Sequence, residues 1–567
     1  MAGTLQTIDR RERDDYQVPK GQSNGAKKGD IVEAEETSGG KGSKKATVRK
    51  ILGHREDTDA ISLIAIHEFG VPMDFSEDAL DQARSAQAPE LEDFRTDLRH
   101  IPFVTIDGAD ARDFDDAVYA RHDDHPTNPD GYYVIVAIAD VAKYVRPDSP
   151  LDQDAFERGN SVYFPDRVVP MLPEELSNGL CSLRPDEDRA ALAMHMRISK
   201  DGELRDFKCQ RAMIRSVARL TYTQVHHARQ GNPDDQTGPI YDTLIAPLYD
   251  VFETLKAARI DRGALEIDRP ERKIHIDDTG NLERVSVRER FDSHRVIEEL
   301  MIQANVAAGR LLEGSETPGL YRVHDKPDLE KITAVRPLLH DLGYPLTTGE
   351  DIHPRDLNAV LMQAKQKDEQ PLISELVLRC QSNATYSPNN IGHFGLGLDT
   401  YAHFTSPIRR YADLVVHRAL IEAMGLGTGG QIRDDLVEVG EHISDTERRA
   451  TLAERNTVDR FTARYLTDHI GEEYKGRITG VTSFGLFVLL EEVGADGILP
   501  MRNMKGDYFV HEEDKHALVG KRTGAVFRLA APVRVVVVEA DGITGSLVLK
   551  MAKGIKDADF KAMAAAS

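Results

Sequence analysis

Five aspartates fall within ten residues of one stretch, "TIDGADARDFDDAVYA": Asp107, Asp110, Asp113, Asp115 and Asp116. An apolar run, "IPFVTI", leads into them and "AVYA" follows. Carboxylates crowded at a strand end repel one another unless they share cations or face a cationic partner. A calcium loop of EF-hand type does not fit, because the twelfth residue counted from Asp107 is Val118 and not a bidentate glutamate. A solvated acidic turn accounts for the charge but not for the apolar entry. The remaining chemistry is a carboxylate cage for Mg²⁺, a hard cation that takes oxygen ligands and can clamp a phosphate ester during in-line attack.

A second constellation is "YAHFTSPIRRYADLVVHRAL", residues 401–420. Thr405 or Ser406 suits a helix N-cap and Pro407 suits the first turn. Arg409 and Arg410 then fall in that turn, where cations oppose the helix dipole by about 0.3–1 kcal/mol each. An anion docked on the helix start removes the conflict, and phosphate is the natural candidate. A carboxylate cage beside a phosphate-grasping helix start points to phosphodiester chemistry. No Walker loop is present, so no nucleotide fuel is expected.

These residues need a scaffold. At 567 residues with 40% hydrophobic content, the chain has room for several domains. No apolar run reaches the ~18 residues of a membrane span. The first thirty residues are polar, with no apolar signal-peptide core. Cys181, Cys209 and Cys380 are the only cysteines and stand far apart. That excludes a disulfide framework and a CxxC zinc site, and points to a reducing cytoplasm. The net charge is −23, yet residues 1–55 carry 12 Lys and Arg against 8 Asp and Glu. An acidic exterior around a basic path suits a protein that admits a single strand.

The pattern predicts an α+β chain in three parts. Residues 1–80 read as short β elements with polar turns, part of a small barrel, and 81–100 as a linker helix. Residues 101–468 read as one α+β block. Helices are expected over 293–314, with Val296, Leu300, Ala304, Ala307 and Leu311 on one stripe, and over 371–387 and 432–466. Residues 470–553 alternate like a five-stranded OB barrel, with a short tail at 554–567. Phe484, Phe487, Tyr508 and Phe509 are candidate base-stacking aromatics.

The stretches "VTIDGADARDFDDAVY", "SVYFPDRVVPMLPEELSNGLCSL", "HDKP", "GHFGLGL" and "YAHFTSPIRRYADL" resemble the RNB-type exoribonucleases, the RNase II and RNase R family, and most of all its RNase R branch. The resemblance implies a central RNB domain with a deep channel, flanked by a partial cold-shock barrel and a C-terminal RNA-binding OB barrel. It implies a monomeric, processive enzyme that hydrolyses single-stranded RNA from a free 3′ end to nucleoside 5′-monophosphates with one or two Mg²⁺ ions. By motif, Asp107, Asp113 and Asp116 match metal ligands, Asp115 a catalytic carboxylate and Arg409 the phosphate-binding arginine. Tyr163 matches the aromatic that stacks on the terminal base. Tyr222 and Glu299 match positions that sense the ribose 2′-hydroxyl, and Glu454 one lining the RNA path. Arg410, Phe484 and Phe487 are further RNA contacts expected. A position near Ile267 is aromatic in some members and aliphatic here. The rival reading, a non-catalytic RNA-binding protein on the same fold, is disfavoured because all four motif aspartates are kept.

Overall fold

The computed structural model describes residues 3–8, 14–37, 44–267, 271–277, 282–287, 289–346, 349, 352–367, 369–504, 506–512 and 517–552. The expected tail at 554–567 lies outside them.

The N-terminal part is a four-stranded sheet in the order Gly3–Gln6, Asp15–Val18, Lys45–His54, Asp30–Thr37. It is followed by the helix Ala60–Glu68, where short β elements were expected. That helix is apolar nearly all round, so its sequence carries no periodicity that separates a buried helix from a buried strand. Its Ile64 packs with Ile31 of the sheet.

The central block is built on a seven-stranded sheet. Its Tyr132–Ala139 strand is continuously apolar and six of its eight residues are buried. A strand covered on both faces reads this way. The helices Ala246–Arg262, Asp292–Glu313 and Tyr411–Ala423 share one hydrophobic core with the sheet. On the Asp292–Glu313 helix, Val296, Leu300, Ala304 and Ala307 are buried as the stripe predicts, and Leu312 replaces Leu311 as the last buried residue.

The helix expected over 371–387 ends at Cys380. Thr385–Ser387 is instead a strand paired with Tyr321–Val323. The 32-residue helix Leu436–Thr467 crosses behind that pair. It approaches closely at Gly440, where a Cβ would sit 2.6 Å from the Tyr386 carbonyl oxygen.

The C-terminal strands close a five-stranded barrel, Glu473–Thr482, Gly485–Leu490, Ala495–Pro500, Ser546–Met551 and Pro532–Asp541. A three-stranded sheet, Phe509–Glu512, Ala517–Gly520 and Val526–Arg528, is added to it. Among the described residues, no helix is long and apolar enough to cross a membrane.

Candidate active site

Two strands bring the first acids together. Phe103–Asp107 runs parallel to Ser216–Thr221, with Asp107 opposite Thr221. It runs antiparallel to Asp116–His122, with Val104 opposite Val118. Asp107 therefore ends one strand where Asp116 begins the next. Tyr222, the first residue of the Tyr222–Arg229 helix, emerges at the same sheet edge.

The loop between Asp107 and Asp116 is fixed by distant contacts. Ser182 Oγ accepts from the Phe114 N–H at 3.0 Å and donates to the Arg112 carbonyl at 2.9 Å. Asp115 is buried, and its Oδ1 accepts from the Ile408 N–H at 2.9 Å. Arg409 Nε lies 3.8 Å from Asp115 Oδ2. Asp113 Oδ2 accepts from the Tyr163 hydroxyl at 2.9 Å, and the Tyr163 N–H donates to Glu454 Oε1 at 2.7 Å. Asp110 lies in the turn of this loop.

Burial raises the pKa of Asp107, Asp115 and Asp116, and neighbouring carboxylates add to it. Asp116 is pushed up to about 7 by burial and by Asp107, against the opposing pull of Arg409. Asp115 is held well above the usual carboxylate range by burial, with Arg409 acting against it. Asp107 is also raised by burial. Asp116 Oδ2 is buried without a hydrogen-bond partner. An all-oxygen donor set with an orphaned buried carboxylate oxygen fits a hard divalent cation.

Among the described residues, no three His, Cys, Asp or Glu side chains converge on one point. Within the cluster, Asp113 is tied to Tyr163, Asp115 to Ile408, and Asp107 Oδ1 to the Gly108 N–H at 2.7 Å. Mg²⁺ commonly binds through one or two carboxylates and completes its shell with water and substrate phosphate.

The segment 405–410 is a turn and not the expected helix start. The helix begins at Tyr411, with Arg410 as an extended N-cap. Ser406 N–H donates to Asp413 Oδ1 and Ile408 N–H to Asp115, contacts that local capping signals do not reveal. Arg410 is held by Asp413 in a two-bonded pair at 2.7 and 2.8 Å. Its Nε and Nη2 are committed to that carboxylate, and the residue also lines the adjoining cavity. Arg409 is exposed and touches Ser406 Oγ at 3.2 Å.

A cavity of about 2920 Å³ runs from the aspartates past Tyr163 and Tyr222 to the barrel surface at Arg477, Thr479 and Phe487. Its cationic lining is arginine throughout, and carboxylates outnumber the arginines. The lining is thus acidic on balance, where a basic path was expected. Ile267 lines this cavity too.

Glu299 does not reach the cavity. It is 3% exposed and accepts from Arg259 Nη1 at 3.0 Å, on the core stripe of its helix. The cavity face of that helix carries His294, Glu298, Met301 and Asn305. Of the two adjacent acids, Glu298 is the one that lines the cavity. The spacing of the buried stripe already separates the two, since 294, 298, 301 and 305 follow a helical period of their own. Tyr222 lines the cavity with its ring stacked on His294 at 4.0 Å.

On the barrel, Phe484 and Phe487 are exposed and meet edge to face at 6.2 Å. Tyr508 is exposed too. Phe509 is buried against Phe527 at 5.4 Å, in the barrel core, and is no stacking platform.

Comparison with known proteins agrees with this architecture. The RNB domain family model matches residues 95–425, a cold shock domain model 5–76 and an S1 RNA binding domain model 467–550. Ribonuclease R of Vibrio cholerae is 40% identical over 93% of this chain, and that of Escherichia coli 38% over 92%. The chain spans 66% of the length of each. A solved structure of Mycoplasma genitalium RNase R in complex with ribose methylated single-stranded RNA superposes with a TM-score of 0.88 at 26% identity, covering 97% of this chain and 89% of that one. Matched by the RNB model over more than half its length, and carrying that sheet edge of aspartates between a cold-shock sheet and an S1 barrel, the chain belongs to the RNB domain family.

Proposed function

We propose that this protein is a Mg²⁺-dependent 3′→5′ exoribonuclease that takes single-stranded RNA through the cavity to the aspartate cluster and releases nucleoside 5′-monophosphates. One observation carries the reading. A single cavity joins the barrel surface at Phe487 to Asp107, Asp113, Asp115 and Asp116. The Mycoplasma genitalium relative solved in complex with ribose methylated single-stranded RNA supports a single RNA strand as the ligand.

Asp107, Asp113 and Asp116 would hold the divalent ion, which when bound supplies Lewis-acid polarisation of a phosphoryl oxygen and a more acidic water. Asp115 stands beside Arg409 and anchors the 405–410 turn through Ile408. Arg409, on that turn, balances charge on the scissile phosphate. Tyr163 stacks on the terminal base, and Glu454 holds its backbone. Tyr222 and Glu298 face the sugar, and Phe484 and Phe487 receive bases at the entrance.

The protein would act as a monomer in the cytoplasm without nucleotide fuel. Incubation with single-stranded RNA, single-stranded DNA and blunt duplex RNA, each with Mg²⁺ or EDTA, tests the reading. Only single-stranded RNA with Mg²⁺ should be consumed quickly. Equal loss of DNA, or loss in EDTA, would contradict it.

A further inference from the structure

His403 lines the cavity, seven residues before the paired Arg410. Its Nδ1 lies 2.9 Å from the Tyr386 hydroxyl. Tyr386 is buried, and among the described residues this is the only hydrogen bond of its hydroxyl. A buried hydroxyl needs an acceptor for its proton. If Nδ1 carried a hydrogen, the tyrosine proton would have no acceptor among the described residues. Donation from the Tyr386 hydroxyl to Nδ1 satisfies that proton and places the hydrogen of the neutral ring on Nε2.

That Nε2 forms no hydrogen bond within the described residues and is not sealed from solvent. The ring is held on several sides. Tyr386 and Tyr401 meet it edge-on at 5.5 and 5.7 Å. Tyr401 receives a hydrogen bond from Asn305 Nδ2 at 3.0 Å, and Asn305 Oδ1 accepts from the Phe404 N–H at 2.8 Å. Tyr386 is fixed in turn, because its N–H donates to Ser444 Oγ on the long helix at 3.0 Å. A fixed, neutral N–H donor thus sits in the wall of the cavity, on the same segment as the cationic Arg409 and Arg410.

We propose that His403 is an RNA-contacting residue that donates from Nε2 to a non-bridging phosphate oxygen of the strand, with Tyr386 locking the required tautomer. Phosphate oxygens only accept hydrogen bonds, so the opposite tautomer would present a lone pair to a lone pair. Burial, Arg410 and Arg322 hold the ring well below its ordinary pKa, so it stays neutral at working pH. A neutral donor grips without the strong charge attraction that would slow the strand's advance. This inference rests on RNA being the ligand.

The test is RNA binding in EDTA, where no cleavage occurs, followed by fluorescence anisotropy. His403→Leu should weaken binding about tenfold, the scale of one lost hydrogen bond to a charged group. His403→Gln, whose amide nitrogen can stand near the Nε2 position, should stay within about threefold of wild type. In a second series, single phosphates near the 3′ end are replaced by neutral methylphosphonates. Wild type should lose affinity at one linkage to which His403→Leu is indifferent. A leucine variant that binds as wild type does, or that keeps the wild-type response at every linkage, overturns the proposal. Should that variant fail to fold, Tyr386→Phe gives an independent reading. It frees Nδ1 while leaving the ring packing, and the response at that linkage should shrink; an unchanged response overturns the tautomer lock and the contact with it. Wild type failing to bind RNA would overturn the functional reading as well, whereas wild-type binding with unresponsive variants overturns this inference alone.

Discussion

The Tyr163 hydroxyl donates to Asp113 Oδ2 at 2.9 Å, so the residue expected to stack on the terminal base is bonded to one of the acids expected to hold the metal. Tyr163→Phe keeps the ring and removes only that bond. It should leave the smallest product unchanged and alter the Mg²⁺ concentration needed for half-maximal rate by a few-fold. Tyr163→Ala also removes the stack, worth about 1–3 kcal/mol per base. Long RNA should still be cut at a near-normal initial rate, and the limit product should lengthen. Gels of 5′-labelled RNA run to completion check both.

Asp115→Asn keeps an acceptor for the Ile408 N–H but loses the ionisable oxygen beside Arg409. Hydrolysis should fall by at least about 100-fold, while RNA affinity in EDTA stays within a few-fold. Single-turnover cleavage and anisotropy separate the two. Full activity would remove Asp115 from the chemistry.

Tyr222→Ala with Glu298→Ala should lower the preference for RNA over DNA about 10- to 100-fold, with a smaller loss of RNA cleavage. Glu299→Gln should act through stability instead, because Glu299 is paired with Arg259 in the core. Competition between matched RNA and DNA strands, with a melting curve for each variant, checks the assignment.

The acids predict a linked pH effect. Asp116 has a folded pKa of about 7, above its unfolded value, because burial and Asp107 disfavour its charge. The metal-free fold therefore binds more protons than the unfolded chain between roughly pH 4 and 7. Stability in EDTA should fall as pH rises through that window. Mg²⁺ should raise the melting temperature more at pH 8 than at pH 5. Equal gains at both would argue against these acids as the metal site.

RNA binding should weaken with salt despite the net charge of −23, with a slope near −0.7 per phosphate neutralised on a single strand. Arg409→Ala should reduce that slope by about one such unit, and Arg410→Ala should lower the melting temperature, since Arg410 is paired with Asp413. Titrations at several salt concentrations measure the first effect, and thermal denaturation the second.

The aspartate cluster was legible because an apolar strand leads straight into it and the spacing is local. The closed barrel was legible for a similar reason, in short alternating strands with turn glycines. The segment before Tyr411 was not. Its capping signals are local, but Asp115, 293 residues away in sequence, claims the Ile408 N–H. Glu298 and Glu299 are adjacent acids, and only the phase of the buried stripe tells cavity from core. Phe509 looks like any strand aromatic until Phe527 is placed beside it. His403 carries no signal of its own, because its tautomer depends on Tyr386 across the fold.

The central claim is direction and chemistry at one site, and one labelled strand reads both. A single-stranded RNA labelled at its 3′ end in one sample and at its 5′ end in another is mixed with the protein and Mg²⁺. The account predicts that the 3′ label appears at once as a mononucleotide, while the 5′ label passes with time into short fragments. It predicts that EDTA or Asp115→Asn stops both. Early release of the 5′ label as a mononucleotide, internal fragments from both labels, or an intact strand under Mg²⁺ would contradict it.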